Sequence, residues 1–272
     1  MPLRRVEDHG TGVIWYHFAD PHPSGDRVTD LLKGFRHALV TRLGGVSQAP
    51  HAALNLGGSV GDDPAAVEEN HRRLFTALGL STNTVVSPHQ VHGAHVATVD
   101  RRDGGSVIPA TDALVTDQPG VALLLRFADC VPVLFYDAVH HAVGLAHAGW
   151  RGVAAQVVRA TVAHMAATFG TDPGDLWAGI GPSICSDHYA VGDAVVDAVQ
   201  ATLPTGTQVA FRAADQWMLD LPGAIHAQLA ALGVHAIDHA GICTACRTDE
   251  WYSHRAEGGR TGRFGTLIVL EA

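Results

Sequence analysis

The chain strings together apolar runs short enough for strands and a few longer stretches whose apolar positions recur with helical spacing. Strand-like runs occur at "HALVTR" (37–42), which enters the Gly44-Gly45 turn, and then at "HVATVD", "DALVTD", "VALLLRF", "VPVLFY" and "HAVGLAH" between residues 95 and 147. Segment 62–80, "DDPAAVEENHRRLFTALGL", predicts a helix. Asp62 or Asp63 can cap it, Pro64 suits its first turn, and Gly79 sits where a C-terminal stop belongs. From Arg151 the period changes: Val153, Val157, Val158, Thr161, Val162, Met165 and Phe169 mark the apolar face of one helix. Shorter helices are expected at 192–203 and 220–232, and "RFGTLIVLEA" reads as a terminal strand. Strands cluster between helices instead of alternating with them, and no linker, repeat or low-complexity block divides the sequence. The expected fold is α+β: a single layered domain over 1–272, with mixed β-sheets covered by helices.

The stretch "ADCVPVLFYDAVHHAVGLAHAGWRG" (128–152) carries the densest chemistry. Pairing "CVPVLFYD" with "HHAVGLAH" about the short Ala138-Val139 link sets Asp137 opposite His140 and Cys130 opposite His147. Directly opposed residues have Cβ atoms roughly 4.5–5.5 Å apart, within reach of a shared metal or a thiolate–imidazolium pair. Ala-Val is not the usual two-residue turn. Pro132 cannot donate a ladder bond, so an edge strand or a nearby bulge is expected. A plain core hairpin with a buried thiol and a backbone-satisfied histidine would read the same way. The next residues shift the balance, because "HAGWRG" turns directly from a strand into the helix near Arg151. Gly149 and Gly152 allow close backbone approach, and free N–H groups beside Arg151 could hold a phosphate or carboxylate. His140 and His141 read as turn residues.

A third metal ligand would come from "SPHQVHGAHVATVD" (87–100), which offers His89, His92 and His95; spacing does not choose among them. Two histidines and one cysteine with an open position describe a catalytic zinc, able to activate water or polarise a substrate oxygen. A competing candidate is Cys243-x-x-Cys246 with His239 nearby, but no second CxxC completes a structural site. The chain contains no His-x-His pair, which argues against a multicopper centre.

Composition narrows the classes. Hydrophobic residues make up 47% and charged residues 17%, a globular balance, and the net charge of -9 leaves no general basic footprint for nucleic acid. No apolar run approaches the ~18 residues of a membrane span. The N-terminal stretch lacks the apolar core of a secretory signal. Four cysteines (130, 185, 243, 246) in such a chain are expected to be reduced thiols in the cytoplasm.

"TRLGGVS" (41–47), "LNLG" (54–57), "HQVHG" (89–93), "TDALVT" (111–116), "ADCVPVLFYD" (128–137) and "HAGWRG" (147–152) occur in the order found in the laccase-domain, or YfiH-like, family. "GPSICSDHYAVG" (181–192) and "WYSHRAEGGRTGRFG" (251–265) continue the resemblance to the C-terminus. The resemblance implies a layered α+β fold related to a glutamine-deamidating toxin domain, and a metal, zinc before copper, on His92, Cys130 and His147. It also implies purine nucleoside phosphorolysis of adenosine, inosine, guanosine and methylthioadenosine, with adenosine deamination as a side activity. The family's older name points instead to copper-dependent polyphenol oxidation.

For phosphorolysis the enzyme must place an anion at C1′ and stabilise a departing purine. Arg151 is the leading phosphate ligand; Arg42, Asn55, Arg255 and Arg263 are candidates for phosphate or ribose. For deamination, attack of an activated water on C6 of adenine suits a two-His, one-Cys zinc centre. The usual His-x-Glu is absent, and Asp129 is a possible proton carrier, although its ordinary reading is a turn residue. Two other classes compete: a metal-free hydrolase with Cys130 as nucleophile and His147 as base, and a non-enzymatic metal-carrying partner protein. The expected partners are purine nucleosides and phosphate, not nucleic acid or membrane, for a monomer or weak homodimer.

Overall fold

The computed structural model describes residues 2–19 and 34–271. Among these residues two large mixed sheets lie face to face. The first runs, in spatial order, β1 (Leu3–Glu7), β2 (Ile14–Phe18), β3 (Phe35–Val40), β16 (Phe264–Leu270), β8 (Ala122–Phe127), β4 (Val85–Pro88) and β6 (Val107–Ile108). The second runs β15 (Ala236–His239), β11 (Leu176–Ile180), β9 (Val131–Asp137), β10 (Ala142–Ala148), β7 (Ala113–Thr116) and β5 (Val96–Thr98). A small sheet is built from β12 (Ala190–Val191), β14 (Gln216–Leu219) and β13 (Ala210–Ala213). The helices are α1 (Pro64–Leu78), α2 (Trp150–Ala154), α3 (Val157–Phe169), α4 (Asp193–Gln200) and α5 (Leu221–Ala231). None is long and apolar enough to cross a membrane.

The layering follows from the two-residue period of the strands. On β9, Leu134 and Tyr136 face a core shared with Leu123, Leu125 and Ile268 of the first sheet. The alternate residues Val133 and Phe135 face Val157, Val162 and Met165 of α3 and Ile225 and Leu229 of α5. On the far side, Leu124, Leu267 and Val269 bury Leu74 and Phe75 of α1. The central strands are therefore covered on both faces, which is why they read as continuous apolar runs. The expectation of mixed sheets covered by helices holds, with the helix–sheet–sheet–helix stacking supplied by tertiary packing.

At α1 the cap is Asp63, whose side chain accepts from the Ala65 N–H at 3.0 Å, and Gly79 closes the helix at φ 63°. Asp62 is used elsewhere, accepting from Ser47 and Asn55. The single helix expected from Arg151 is broken in two. Gln156 takes φ 60° between α2 and α3. The break lets Val153 and the Val157–Val158 pair enter one core from two helix directions, and the buried Gln228 amide donates to the Val153 carbonyl beside the break.

The central hairpin differs from its expected register by two residues. His147 lies opposite Pro132, and Ala142 opposite Asp137. The turn is four residues long because the Asp137 carboxylate accepts the N–H groups of Val139 and His140, with His141 at φ 52°. A shift of two keeps every side chain on its face, so Cys130 stays on the His147 side, diagonal to it. Pro132 also corrects an expectation: β9 is a central strand, neither edge nor bulged. The proline sits past the last residue of β11 paired to β9, Ile180, and there its missing donor costs no ladder bond.

Candidate functional site

Cys130 leaves the end of β8 through Ala128 and Asp129 just before β9 begins, and His147 stands near the end of β10. The loop after β4 brings in the third residue. Of the three histidines there, His92 joins them: a nitrogen from each ring and the Cys130 sulfur lie within 4.8 Å of one another. The His92 and His147 rings meet edge to face with centroids 4.7 Å apart. His95 instead pairs with the Thr111 hydroxyl, and His89 donates its backbone N–H to Ile108.

Asp112, immediately before β7, organises the group. Its fully buried carboxylate accepts from His147 Nδ1 at 2.8 Å and from the backbone N–H groups of Val91, His92 and Gly93 at 3.1, 2.9 and 2.7 Å. One carboxylate thereby fixes the His147 ring and holds the loop that carries His92, whose φ of 62° is unusual for a residue with a side chain. Burial opposes ionisation of Asp112, but the His147 bond and the backbone donors hold its carboxyl below the ordinary range. With Nδ1 committed to Asp112, His147 turns Nε2 toward the cysteine. Gln90 anchors the same loop through a two-way amide bond to the Arg126 backbone, at 2.8 and 3.0 Å.

The glycines of "HAGWRG" matter for space. A Cβ on Gly149 would stand 2.8 Å from Cys130 Sγ and 3.2 Å from His92 Cδ2, and one on Gly152 would press on the carbonyls of Gly93 and His147. Burial alone would raise the Cys130 thiol. The His147 charge and hydrogen bonds from both imidazoles outweigh that and pull it down to about 6. Burial likewise disfavours a charged His147, yet Cys130 and Asp112 lift it to about 9. Two imidazole nitrogens and a readily ionised thiol, with one imidazole oriented by a carboxylate, are a fitting donor set for a borderline-soft divalent metal.

The arginines divide. Arg151 is exposed at the start of α2, its guanidinium stacked 4.4 Å over Trp150 and without a hydrogen-bond partner among the described residues. Arg255 lies 5.2 Å over the Tyr189 ring and donates to the Ala190 carbonyl at 2.9 Å. Both Arg151 and Arg255 are close enough to Tyr189 to act on its phenol, as are Cys130 and Asp129. Burial first, then the Cys130 charge, raises that phenol, so Tyr189 keeps its proton. Arg263 is half-buried, bonds its own neighbouring carbonyls, and feels the charges of Cys130 and Asp129. Three of the four expected arginines thus border the Cys130 region. The helix of α2 is only five residues long, so the anion-binding potential expected of a long helix start rests here on the Arg151 side chain.

Arg42 and Asn55 are committed to internal bonds. Arg42 lies 4.2 Å over Tyr252, with Nε donating to the Ala52 carbonyl and Nη1 to the Thr248 and Trp251 carbonyls and to Glu257. It is a clamp between chain segments. Asn55 is fully buried and spends its amide on Gly57, Asp62 and the Arg263 N–H. Asp129, at φ 82°, accepts the Thr244 hydroxyl at 2.7 Å and the Arg255 N–H at 2.6 Å, which marks it as a positioning residue. Asp112, Tyr189 and Gln90 were not singled out by sequence reasoning. Each stands inside one of the family motifs, but an aspartate before a strand reads as a turn residue, and nothing local marks its four donors.

A family model described as multi-copper polyphenol oxidoreductase laccase matches residues 36–271. A Streptomyces coelicolor protein named purine nucleoside phosphorylase is 40% identical over 245 residues, covering 89% of this chain and 98% of the relative. The purine nucleoside phosphorylase YlmD of Geobacillus stearothermophilus is also 40% identical, over 85% of this chain and 88% of its own. The crystal structure of YlmD from the same organism superposes with a TM-score of 0.88 at 36% identity, covering 95% of this chain and 96% of that one. A family match over most of the chain, with relatives at this identity and a shared fold, is decisive: the chain belongs to the laccase-like family described as multi-copper polyphenol oxidoreductase laccase.

Proposed function

We propose that this protein is a purine nucleoside phosphorylase that cleaves adenosine, inosine, guanosine and methylthioadenosine with inorganic phosphate. The observation that carries the reading is the juxtaposition of the His92–Cys130–His147 group with a rim of Arg151, Arg255, Arg263 and Tyr189. The names of the relatives support the same reaction. A phosphate oxygen forms a bond to C1′ as the C1′–N9 bond breaks; the electron pair of that bond leaves with the purine, which takes up a proton.

Arg151, unpaired and exposed, binds the phosphate, and Arg255 closes the other side of the anion. Arg263 adds a half-buried positive charge within electrostatic reach of Cys130. Tyr189, held neutral, offers a hydroxyl to a purine nitrogen as charge develops on the base. Asp112 keeps His147 oriented, and Asp129 holds the Arg255 backbone in place. His92, Cys130 and His147 would hold a zinc ion, which supplies a Lewis acid beside the substrate when bound. Deamination of adenosine at C6 is the expected side activity of the same pocket.

A second reading has its own observation. Cys130, His147 and Asp112 line up as thiolate, imidazolium and carboxylate, the order of a cysteine hydrolase. One experiment separates the two: adenosine and inosine incubated with and without phosphate, products read by chromatography alongside metal analysis. Phosphate-dependent release of free base, with one metal equivalent lost in Cys130→Ser, is expected. A fully active, metal-free enzyme inactivated by thiol alkylation would overturn the phosphorylase reading in favour of the hydrolase.

A further inference from the structure

The remaining three cysteines are not scattered. Cys185 and His188 form a C-x-x-H pair on the loop after β11, and Cys243 and Cys246 form a C-x-x-C pair on the loop after β15. The fold brings these pairs together across 58 residues of sequence, so that one ligand atom from each of the four lies within 4.8 Å of the others. His239, the histidine expected beside the Cys243–Cys246 pair, is engaged elsewhere, 2.9 Å from His226. His188 takes its place.

We propose that Cys185, His188, Cys243 and Cys246 bind a second zinc ion, a closed structural site distinct from the His92–Cys130–His147 group. The geometry supports tetrahedral coordination directly. With Zn–S near 2.3 Å and Zn–N near 2.05 Å, a tetrahedral centre places sulfur and nitrogen ligands about 3.6 Å apart. His188 Nδ1 stands 3.3 Å from Cys185 Sγ, 3.6 Å from Cys246 Sγ and 3.9 Å from Cys243 Sγ. The four donors leave no position open, which separates a structural from a catalytic site. Soft sulfur ligands in this arrangement select zinc over hard cations such as magnesium. Binding displaces the three thiol protons to solvent. The Cys185 backbone N–H also points at Cys243 Sγ, 3.3 Å away, a donor suited to a thiolate ligand.

The backbone around the cluster is prepared for this role. Ser183 donates its N–H to the Ile242 carbonyl and accepts from the Thr244 N–H, so the two loops already run side by side. The site would pin the wall of the pocket. Tyr189 follows His188 directly, Arg255 donates to the Ala190 carbonyl, and Thr244 donates its hydroxyl to Asp129. An ion here would hold Tyr189, Arg255 and Asp129 in register without touching substrate.

The test counts metal, so it does not depend on the proposed reaction. The full chain carrying Cys130→Ser, which removes a ligand of the first group, is loaded with zinc under reducing conditions and dialysed. One equivalent per chain by elemental analysis is expected, falling to none when the exposed Cys246 is also changed, Cys246→Ser. Cobalt loaded into the Cys130→Ser chain should give intense visible bands of a tetrahedral thiolate centre, lost in the double variant. Mass spectrometry after alkylation should find Cys185, Cys243 and Cys246 protected by zinc and modified without it. This last measurement needs no variant at the second site, so misfolding cannot mimic it. A Cys130→Ser chain that retains no zinc, equal alkylation of the three thiols with and without zinc, or a disulfide among them in the reduced preparation would overturn the proposal.

Discussion

Replacing Asp112 by asparagine changes one atom and should dismantle the first metal-binding group. The carboxylate serves four donors, with His147 Nδ1 and the His92 N–H on Oδ1 and the Val91 and Gly93 N–H groups on Oδ2. An asparagine in either flip turns its NH2 group toward two of those donors. Outer-sphere partners of a ligating histidine are typically worth 10–100-fold in metal affinity, about 1.4–2.7 kcal/mol. Each buried donor left unpaired costs about 1–3 kcal/mol of stability. Two such donors amount to about 2–6 kcal/mol, which at roughly 2–4 °C per kcal/mol lowers Tm by ~4 °C or more. The assay is competition for zinc between the Asp112→Asn chain and a chromophoric chelator, both it and the parent carrying Cys246→Ser so that only the first group is read, with Tm followed in parallel. Affinity unchanged within twofold while Tm falls would refute the orienting role and leave Asp112 a purely structural residue.

In a Cys246→Ser background, Gly149→Ala should leave the fold intact by circular dichroism yet lower zinc affinity at the His92–Cys130–His147 group at least tenfold, because its Cβ would sit 2.8 Å from the Cys130 sulfur. Arg42→Ala and Arg151→Ala should part company. The first loses a clamp and about 2–3 kcal/mol of stability, with KM for phosphate unchanged; the second stays within about 0.5 kcal/mol of the parent in urea melts and raises KM for phosphate about tenfold. In the metal-free chain, Cys130 lies below its ordinary value of 9.0, so its contribution to stability is complete above pH 9.0 and is lost as pH falls through about 6. His147 lies above its ordinary 6.5, so its contribution is complete below pH 6.5 and is lost as pH rises through about 9. Urea midpoints should therefore be highest between those limits, and a Cys130→Ser, His147→Gln chain should lose the plateau; an identical pH profile for both chains would count against the pair.

Much of the architecture was legible locally. Short apolar runs marked β7 through β10, and Asp63, Pro64 and Gly79 bounded α1, because strands buried on both faces and helix ends are written in residues a few positions apart. Even the mistaken hairpin register preserved the relation of Cys130 to His147, since a slip of two residues leaves each side chain on its face. The break at Gln156 was invisible in the apolar spacing, because both helix segments bury valines into one core.

What the amino-acid order determined by itself was the central strands, the ends of α1, the conjunction of Cys130 and His147 on one hairpin, and the motifs that carry the family resemblance. Only the tertiary structure decided which partners the polar groups take. It commits Arg42 and Asn55 to internal bonds, gives Asp112 four donors from two segments, and gathers Cys185, His188, Cys243 and Cys246 from separate loops. The reason is physical: periodicity records which face of an element is buried. A hydrogen bond or a ligand cluster depends on distances of a few ångströms between residues far apart in the chain, and packing alone sets those distances.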